Sequence, residues 1–291
     1  MFPIEKHHMA TSIEDAVRAL AEDETSQVIA GGTDVLIRLH EGHGDYRNLV
    51  DINKLDELRE IRMDEEGNVL IGALASFTEI LEHDVIRKHV PVIGESVNTV
   101  GGPQVRNRGT MGGNICNGAV SADSACAALV HEVDLVIQSP EGERVESIIG
   151  FHTGPGRVSL KQGDLLKHFR VRPGNYKGFG ASYYKYAMRE AMDIATIGCA
   201  AAVKLNGEKI GELRLAYTVS APTPIRCAGA EEVAKGKPLT QETLAEIAKA
   251  VEADVRPRTS WRASMEFRLH VIRTLAQRVT RQAAERAGGT F

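Results

Sequence analysis

The sequence predicts an α+β chain, and three observations carry that reading. Strand-like segments and helical segments separate after about residue 180, with strands first and helices over the last 65 residues. Asn206-Gly207, set between two apolar runs, is a two-residue hairpin signal and therefore an antiparallel one. Pro173-Gly174-Asn175 and Gly178-Phe179-Gly180 punctuate a boundary between residues 1–175, with lobes at about 1–60 and 61–175, and residues 176–291.

The elements follow in order. Ser12 caps a first helix, with Asp15 three residues on and Ile13, Ala16, Val17 and Leu20 on one face. Val28-Ile29-Ala30 reads as a short strand, stopped by Gly31-Gly32-Thr33-Asp34 and followed by the apolar Val35-Leu36-Ile37. Leu49 to Ile52 and Val69 to Ile71 are further strands. Ser76 with Glu79 is a capping-box pattern. Pro91 opens a helix that Gly101-Gly102-Pro103 ends. Asp123 is placed to cap a helix over 124–130, and Leu135 to Ile137 and Phe169 to Val171 read as strands with His152 to Gly156 in a loop between them. Strands are then expected over Ser182 to Ala187 and Ile197 to Leu205. Leu213, Leu215 and Tyr217 alternate as in a half-buried strand, which Pro222 and Pro224 end. Thr240 caps a helix carrying Leu244, Ile247, Ala248 and Val251. Ser260 precedes a longer one carrying Ile272, Leu275, Ala276 and Val279.

Composition narrows the function. The 291 residues hold 35 Lys and Arg against 39 Asp and Glu, a net charge of −4, with 43% hydrophobic residues. That balance gives no attractive field for nucleic acid or an anionic membrane surface. No run approaches the ~18 apolar residues of a membrane span, and the N-terminus lacks a signal-peptide pattern. Cys116, Cys126, Cys199 and Cys227 are scattered without a CxxC pair. This fits reduced thiols in a cytoplasm and excludes the usual four-cysteine zinc and iron–sulfur signatures.

Two glycine-rich turns are the strongest chemical candidates: Ala30-Gly31-Gly32-Thr33-Asp34 and Thr110-Met111-Gly112-Gly113-Asn114. Successive N–H groups in such turns form a concavity for phosphate oxygens, and two turns could hold the two phosphates of one dinucleotide. Each Gly-Gly pair is equally a plain tight turn, and the residues alone leave both readings open. No P-loop, complete GxGxxG, GxSxG or HExxH is present. His40 and His43 beside Asp45 read as a solvated loop rather than a metal site, and His131-Glu132 lacks a second histidine. Lys185, Arg189 and Asp193, spaced by four around Tyr183, Tyr184 and Tyr186, read as a surface ion cluster.

AGGTD (30–34), TMGGN (110–114) with Ser121-Ala122-Asp123, and YKYAMREAMDIATIG (184–198) together resemble the FAD-binding medium subunits of molybdenum hydroxylases of the xanthine dehydrogenase type. FHTGPG (151–156), SAPTPIR (220–226) and SWRASMEFRLH (260–270) extend the likeness over nearly the whole chain.

The resemblance implies a two-lobed FAD-binding domain like that of the vanillyl-alcohol-oxidase flavoproteins, followed by an α+β C-terminal domain. It places a first phosphate loop on Gln27, Val28, Ile29, Ala30, Gly31, Gly32, Thr33 and Asp34. A second falls on Gly109, Thr110, Met111, Gly112 and Gly113, with Asn114 completing the motif. It assigns Asp123 to the flavin site, with Ala122 replacing the usual serine, and a backbone contact near the flavin to Leu165. Tyr184 and Lys185 fall where family members approach the flavin and its ribityl chain, and Arg189 and Asp193 fit an RxxxDIA stretch. Val100 stands where larger members stack an aromatic on adenine. Implied partners are an iron–sulfur subunit with 2Fe–2S clusters and a molybdopterin subunit, with NAD+ as acceptor and no catalytic side chain in this chain. The alternatives are the same subunit serving a carbon monoxide, aldehyde or N-heterocycle dehydrogenase, and a flavin-free assembly protein.

Overall fold

The computed structural model describes residues 3–291, except the side chain of Asp45, so the histidine loop noted above lies partly outside the described residues. The chain opens with a small parallel sheet. Its strands are β1 (Lys6–Met9), β2 (Ser26–Ile29) and β3 (Asn48–Asp51), in spatial order β1-β3-β2. Between β1 and β2 runs α1 (Ile13–Glu22), capped by Ser12 and burying Ile13, Ala16, Val17 and Leu20, the four residues its periodicity marks. Between β2 and β3 lies α2 (Val35–His40), which takes up the apolar run after the first glycine turn.

A five-stranded antiparallel sheet follows. Its strands are β4 (Ile61–Met63), β5 (Val69–Gly72), β6 (Asp134–Ser139), β7 (Gly142–Ser147) and β10 (Leu165–Val171), ordered β4-β5-β10-β6-β7. The excursion between β5 and β6 is helical: α3 (Phe77–Glu82), α4 (Asp84–His89), α5 (Pro91–Asn98), α6 (Pro103–Arg106), α7 (Met111–Cys116) and α8 (Asp123–Val130). Both halves of the Ser76–Glu79 capping box form. The short hairpin β8 (His152–Gly154) and β9 (Arg157–Val158) occupies the stretch expected to be loop, because His152 pairs with Val158. The helix α8 is capped by the Ala122 backbone, and Asp123 is its first residue with its carboxylate directed elsewhere.

The rest is a four-stranded antiparallel sheet of β11 (Phe179–Tyr186), β12 (Ile197–Asn206), β13 (Lys209–Thr218) and β14 (Ile225–Arg226). It packs against α9 (Ala228–Ala234) and α11 (Met265–Arg286), and α10 (Gln241–Asp254) packs on those two helices. The hairpin turn falls on Gly207 and Glu208, with Asn206 still paired to Lys209. Ser264 caps the long helix, which begins five residues after Ser260.

The strand expected to be half-buried is covered on both faces. Leu213, Leu215 and Tyr217 of β13 pack with Val271, Ile272, Leu275 and Val279 of α11. The opposite face brings Ala181, Tyr183, Ala200, Ala202 and Ala216 against Ala125 and Ala128 of α8. Methyl side chains on both sides let α8 lie close on the sheet. That contact carries Asp123 at the start of α8 to the end of β11.

Candidate functional site

The first glycine turn leaves β2 and enters α2. Its trace is held by Asn53, whose Nδ2 donates to the Ala30 carbonyl at 2.7 Å and to Asp51 at 2.9 Å. Gly32 adopts φ +75°, a left-handed conformation that favours glycine. Gly31 is glycine for a different reason. A Cβ on it would stand 1.8 Å from the Arg108 carbonyl oxygen and 3.1 Å from the Gly109 nitrogen. The two glycine-rich turns therefore abut, although nearly 80 residues separate them. Arg38 of α2 reaches Asn117 beyond α7 at 3.4 Å and supports the same junction.

The turns differ in what they offer a ligand. The amides of Gly31, Gly32, Thr33 and Asp34 find no acceptor among the described residues. They are half-exposed or exposed, so they form a cluster of available donors. In the second turn, Met111 N–H donates to Ala75, Gly112 N–H to Ala73, and Gly113 N–H to the Thr110 hydroxyl. Its glycines serve packing: a Cβ on Gly112 would lie 2.5 Å from the Ala73 carbonyl oxygen, and one on Gly109 2.8 Å from the Phe77 ring. Amides without an acceptor are thus found at the first turn, while those of the second are taken up within the fold. The second presents exposed Gly113 beside Asn114, whose Oδ1 accepts from Ser124 at 2.6 Å.

A buried polar cluster stands where α8 meets β11. Lys185 Nζ donates to Asp123 at 2.8 Å and to the Thr99 carbonyl at 2.9 Å, and the Tyr183 hydroxyl donates to the other Asp123 oxygen at 2.7 Å. The Lys185 and Asp123 side chains are 8% and 7% exposed. Burial pushes the Asp123 carboxyl up from its ordinary value, and Lys185 and Tyr183 oppose that shift. Burial, and then the neighbouring Asp123, drives the Tyr183 hydroxyl well up. The reading of Lys185 as part of a surface ion cluster is corrected here: strand periodicity turns Lys185 inward, while Arg189 and Asp193 lie in the loop beyond.

That loop is ordered by Asp193. Its carboxylate accepts from the Met188, Arg189 and Ile194 amides at 2.9, 3.1 and 2.9 Å. Desolvation raises its pKa, but these amides outweigh it and hold the carboxyl below its ordinary value. Met192, at φ +54°, lies against Gly102, two residues past Val100.

The remaining expected residues scatter around this frame. Gln27, Val28 and Ile29 belong to β2. Val100 follows α5, half-buried, its carbonyl accepting from Arg106 at 3.1 Å. Leu165 begins β10, and its side chain fills the core of the small sheet, against which Val28 and Ala30 pack. Tyr184 is not brought beside Lys185. It faces α11, where the Arg278 guanidinium sits 5.0 Å from its ring centre. Thr99, which sequence reasoning did not single out, and Tyr183, which it named only beside the ion cluster, take the places beside Asp123 and Lys185. The alternation of Tyr183 with Lys185 on one strand face was the available signal.

The family profile described as the FAD binding domain in molybdopterin dehydrogenase matches residues 3–172, and that of the CO dehydrogenase flavoprotein C-terminal domain matches 182–283. The chain is 47% identical to the xanthine dehydrogenase FAD-binding subunit of Escherichia coli O157:H7, over 99% of both chains. It is 30% identical to the glyceraldehyde dehydrogenase medium chain of Sulfolobus acidocaldarius, over 98% of this chain and all of that one. Among solved structures, carbon monoxide dehydrogenase from Hydrogenophaga pseudoflava superimposes with a TM-score of 0.93 at 28% identity, covering 98% of this chain and 99% of the other. With family profiles on both halves and a near full-length relative at this identity, the chain belongs to the molybdenum hydroxylase family, as an FAD-binding subunit of the xanthine dehydrogenase type.

Proposed function

We propose that the chain is the electron-transfer subunit of a xanthine dehydrogenase-like heterotrimer, receiving electrons from 2Fe–2S clusters of one partner and delivering them to NAD+. The molybdopterin subunit would hydroxylate the purine. In this reading residues 1–175 hold FAD and residues 176–291 close over it. The observation that carries it is the junction of Gly31 with Arg108, which sets four available amides beside the second glycine turn.

The residues fit the cofactor. Amides from Gly31 to Asp34 supply fixed donors to a pyrophosphate without adding a side chain. Thr110, Gly113 and Asn114 border it from the second turn. Asp123 and Lys185, held by Tyr183 and Thr99, orient the ribityl chain and flavin edge, and Val100 borders the adenine. Bound FAD supplies both one-electron and two-electron chemistry, which lets a one-electron donor be matched to a hydride acceptor. This chain's residues bind and orient it and exclude water, and no side chain acts as a general base.

The four cysteines support a partner as electron source. Cys126, Cys199 and Cys227 are buried, and burial pushes the Cys116 and Cys126 thiols up to about 12, so they stay protonated and are poor cluster ligands. The relatives include a glyceraldehyde dehydrogenase chain and a carbon monoxide dehydrogenase, so the substrate is set outside this subunit type. This reading includes a cytoplasmic role in purine catabolism, and the xanthine dehydrogenase likeness supports it.

The test is visible absorption of the purified chain and its native complex, followed by anaerobic titration with NADH. Flavin bands in the chain, iron–sulfur absorbance only in the complex, and bleaching by NADH are expected. A colourless chain that stays colourless with added FAD would sink the proposal, and flavin blind to NADH would remove NAD+ from it.

A further inference from the structure

The helix α8 is gripped at both ends by side chains of the four-stranded sheet that follows it in sequence. At its first residue, Asp123 accepts from Lys185 and Tyr183 of β11. At its last turn, Arg226 of β14 donates through Nη1 to the Leu129 carbonyl at 3.1 Å, and Arg214 of β13 donates through Nη1 to the Val130 carbonyl at 3.3 Å. Carbonyls at a helix C-terminus fall outside the full helical ladder and carry its negative pole, so cations are favourable there. The Arg214 and Arg226 side chains are 6% and 12% exposed. On its other edge the Arg226 fork donates to Glu231 at 2.6 and 2.8 Å.

Glu132 joins the two arginines. Its carboxylate lies 3.1 Å from Arg226 and 3.5 Å from Arg214. It stands two residues past α8 at φ +45°, a left-handed conformation that favours glycine. Glycine would end the helix there without strain, whereas glutamate accepts the strain and supplies the anion that bridges both guanidiniums. Between its two ends, the contact of α8 with the sheet is smooth: Ala125 and Ala128 meet Ala181, Ala200, Ala202 and Ala216. Methyl groups set how closely the helix lies on the sheet, but they raise no ridge that resists sliding along its axis. The position of α8 along that axis, and hence where Asp123 stands against Lys185, is therefore set by the two polar ends.

We propose that Arg214 and Arg226 are positioning residues for the flavin, fixing Asp123 at its edge from the opposite end of α8, about 12 Å away at 1.5 Å per residue. The inference rests on the reading above that sets Asp123 and Lys185 beside the flavin. Neither arginine has to touch the cofactor. Both act through one helix whose eight residues are all buried, so a shift at Leu129 is carried to Asp123 rather than absorbed.

The readouts are the visible absorption and circular dichroism of the flavin in the FAD-loaded full chain, its FAD dissociation constant, and urea unfolding. Asp123→Asn gives the reference shift of the flavin bands. Arg226→Ala and Arg214→Ala are expected to shift the bands in the same direction and to raise the dissociation constant by about threefold to tenfold. Arg226→Lys keeps a charge beside Glu231 but loses the fork that spans Glu231 and Leu129, so a smaller shift of the same sign is expected. It carries the test if the alanine variants do not fold. Tyr217→Phe is the control for stability alone. It removes the bond from the Tyr217 hydroxyl to the Ile272 carbonyl at 2.9 Å, on the sheet face turned away from α8, and should lower stability with flavin bands and affinity unchanged. Arginine variants that lose stability but keep wild-type bands and affinity, while Asp123→Asn shifts them, overturn this inference alone. Wild-type bands in Asp123→Asn overturn the placement of Asp123 beside the flavin, and this inference with it.

Discussion

Lys185 Nζ lies 2.8 Å from Oδ2 of Asp123, joining β11 to the first residue of α8 across 62 positions of sequence. Both side chains are almost closed to water, so each charge depends on the other. Removing one partner leaves a buried charge without compensation, which costs ~3–5 kcal/mol. Lys185→Ala is therefore expected to lower unfolding free energy by that amount in urea titration. The double replacement Asp123→Asn with Lys185→Met is expected to cost less than the sum of its parts. A Lys185→Ala protein with unchanged stability would show that the pair is open to water in solution.

The Gly31–Arg108 junction yields a sharper separation of binding from stability. Gly31→Ala places a methyl 1.8 Å from the Arg108 carbonyl oxygen, a position no rotamer can relieve. The glycine turns must part, and FAD affinity is expected to fall by about tenfold or more, ~1.4 kcal/mol. Gly42→Ala is the comparison: φ there is +86° with no atom within 4 Å of the added carbon. It incurs only the left-handed backbone strain of ~1–2 kcal/mol and should keep its flavin. Equal flavin loss in both variants would count against the junction.

His131 predicts a pH dependence. Burial pushes its pKa from an ordinary 6.5 down to about 4, so the folded chain holds it neutral while the unfolded chain protonates it first. Between those values the unfolded state binds more protons, and stability falls as pH falls. His131's contribution is complete above pH 6.5, is lost progressively toward pH 4, and amounts to on the order of 3 kcal/mol. Denaturant midpoints measured across that window, for wild type and His131→Gln, should differ in slope. Parallel curves would mean that His131 is not the titrating group.

Much of this architecture was legible locally. Ser12 and the four apolar residues of α1 lie within three turns of one helix, so a single periodicity decides their burial. The Ser76–Glu79 box is likewise a four-residue event. What failed depends on distant partners. The Asp123 carboxylate bonds to Tyr183 and Lys185 some 60 residues away, so its position before an apolar run misled toward a cap. The four-residue spacing of Lys185, Arg189 and Asp193 suggested one surface ion cluster, but the strand ends at Tyr186 and the spacing has no geometric meaning beyond it. The glycines at 109 and 112 are fixed by residues 73–77, which no pattern around the TMGGN motif reveals. The residues implied by family resemblance, such as Asp123 and Lys185, came together because the resemblance carries long-range pairing that local rules cannot.

Asn53 was invisible to that reading, since a lone asparagine after a strand is an ordinary turn residue. In the fold it holds the Ala30 carbonyl at 2.7 Å and steadies the backbone just before the available amides. Asn53→Ala removes that donor without touching the ligand face. One lost hydrogen bond to a partly buried carbonyl destabilises by ~1 kcal/mol. The effect on FAD should be larger than this stability change suggests, because the amides act together only when the turn holds one geometry. The expected result is a dissociation constant for FAD raised by about tenfold with a thermal midpoint lowered by only a few degrees. Asn53→Asp should fail in the same way, since a carboxylate cannot donate to Ala30. If Asn53→Ala lost stability in full proportion to its flavin, the residue would be a fold element alone, and the ordering of the first turn would have to come from Gly31 and Arg108.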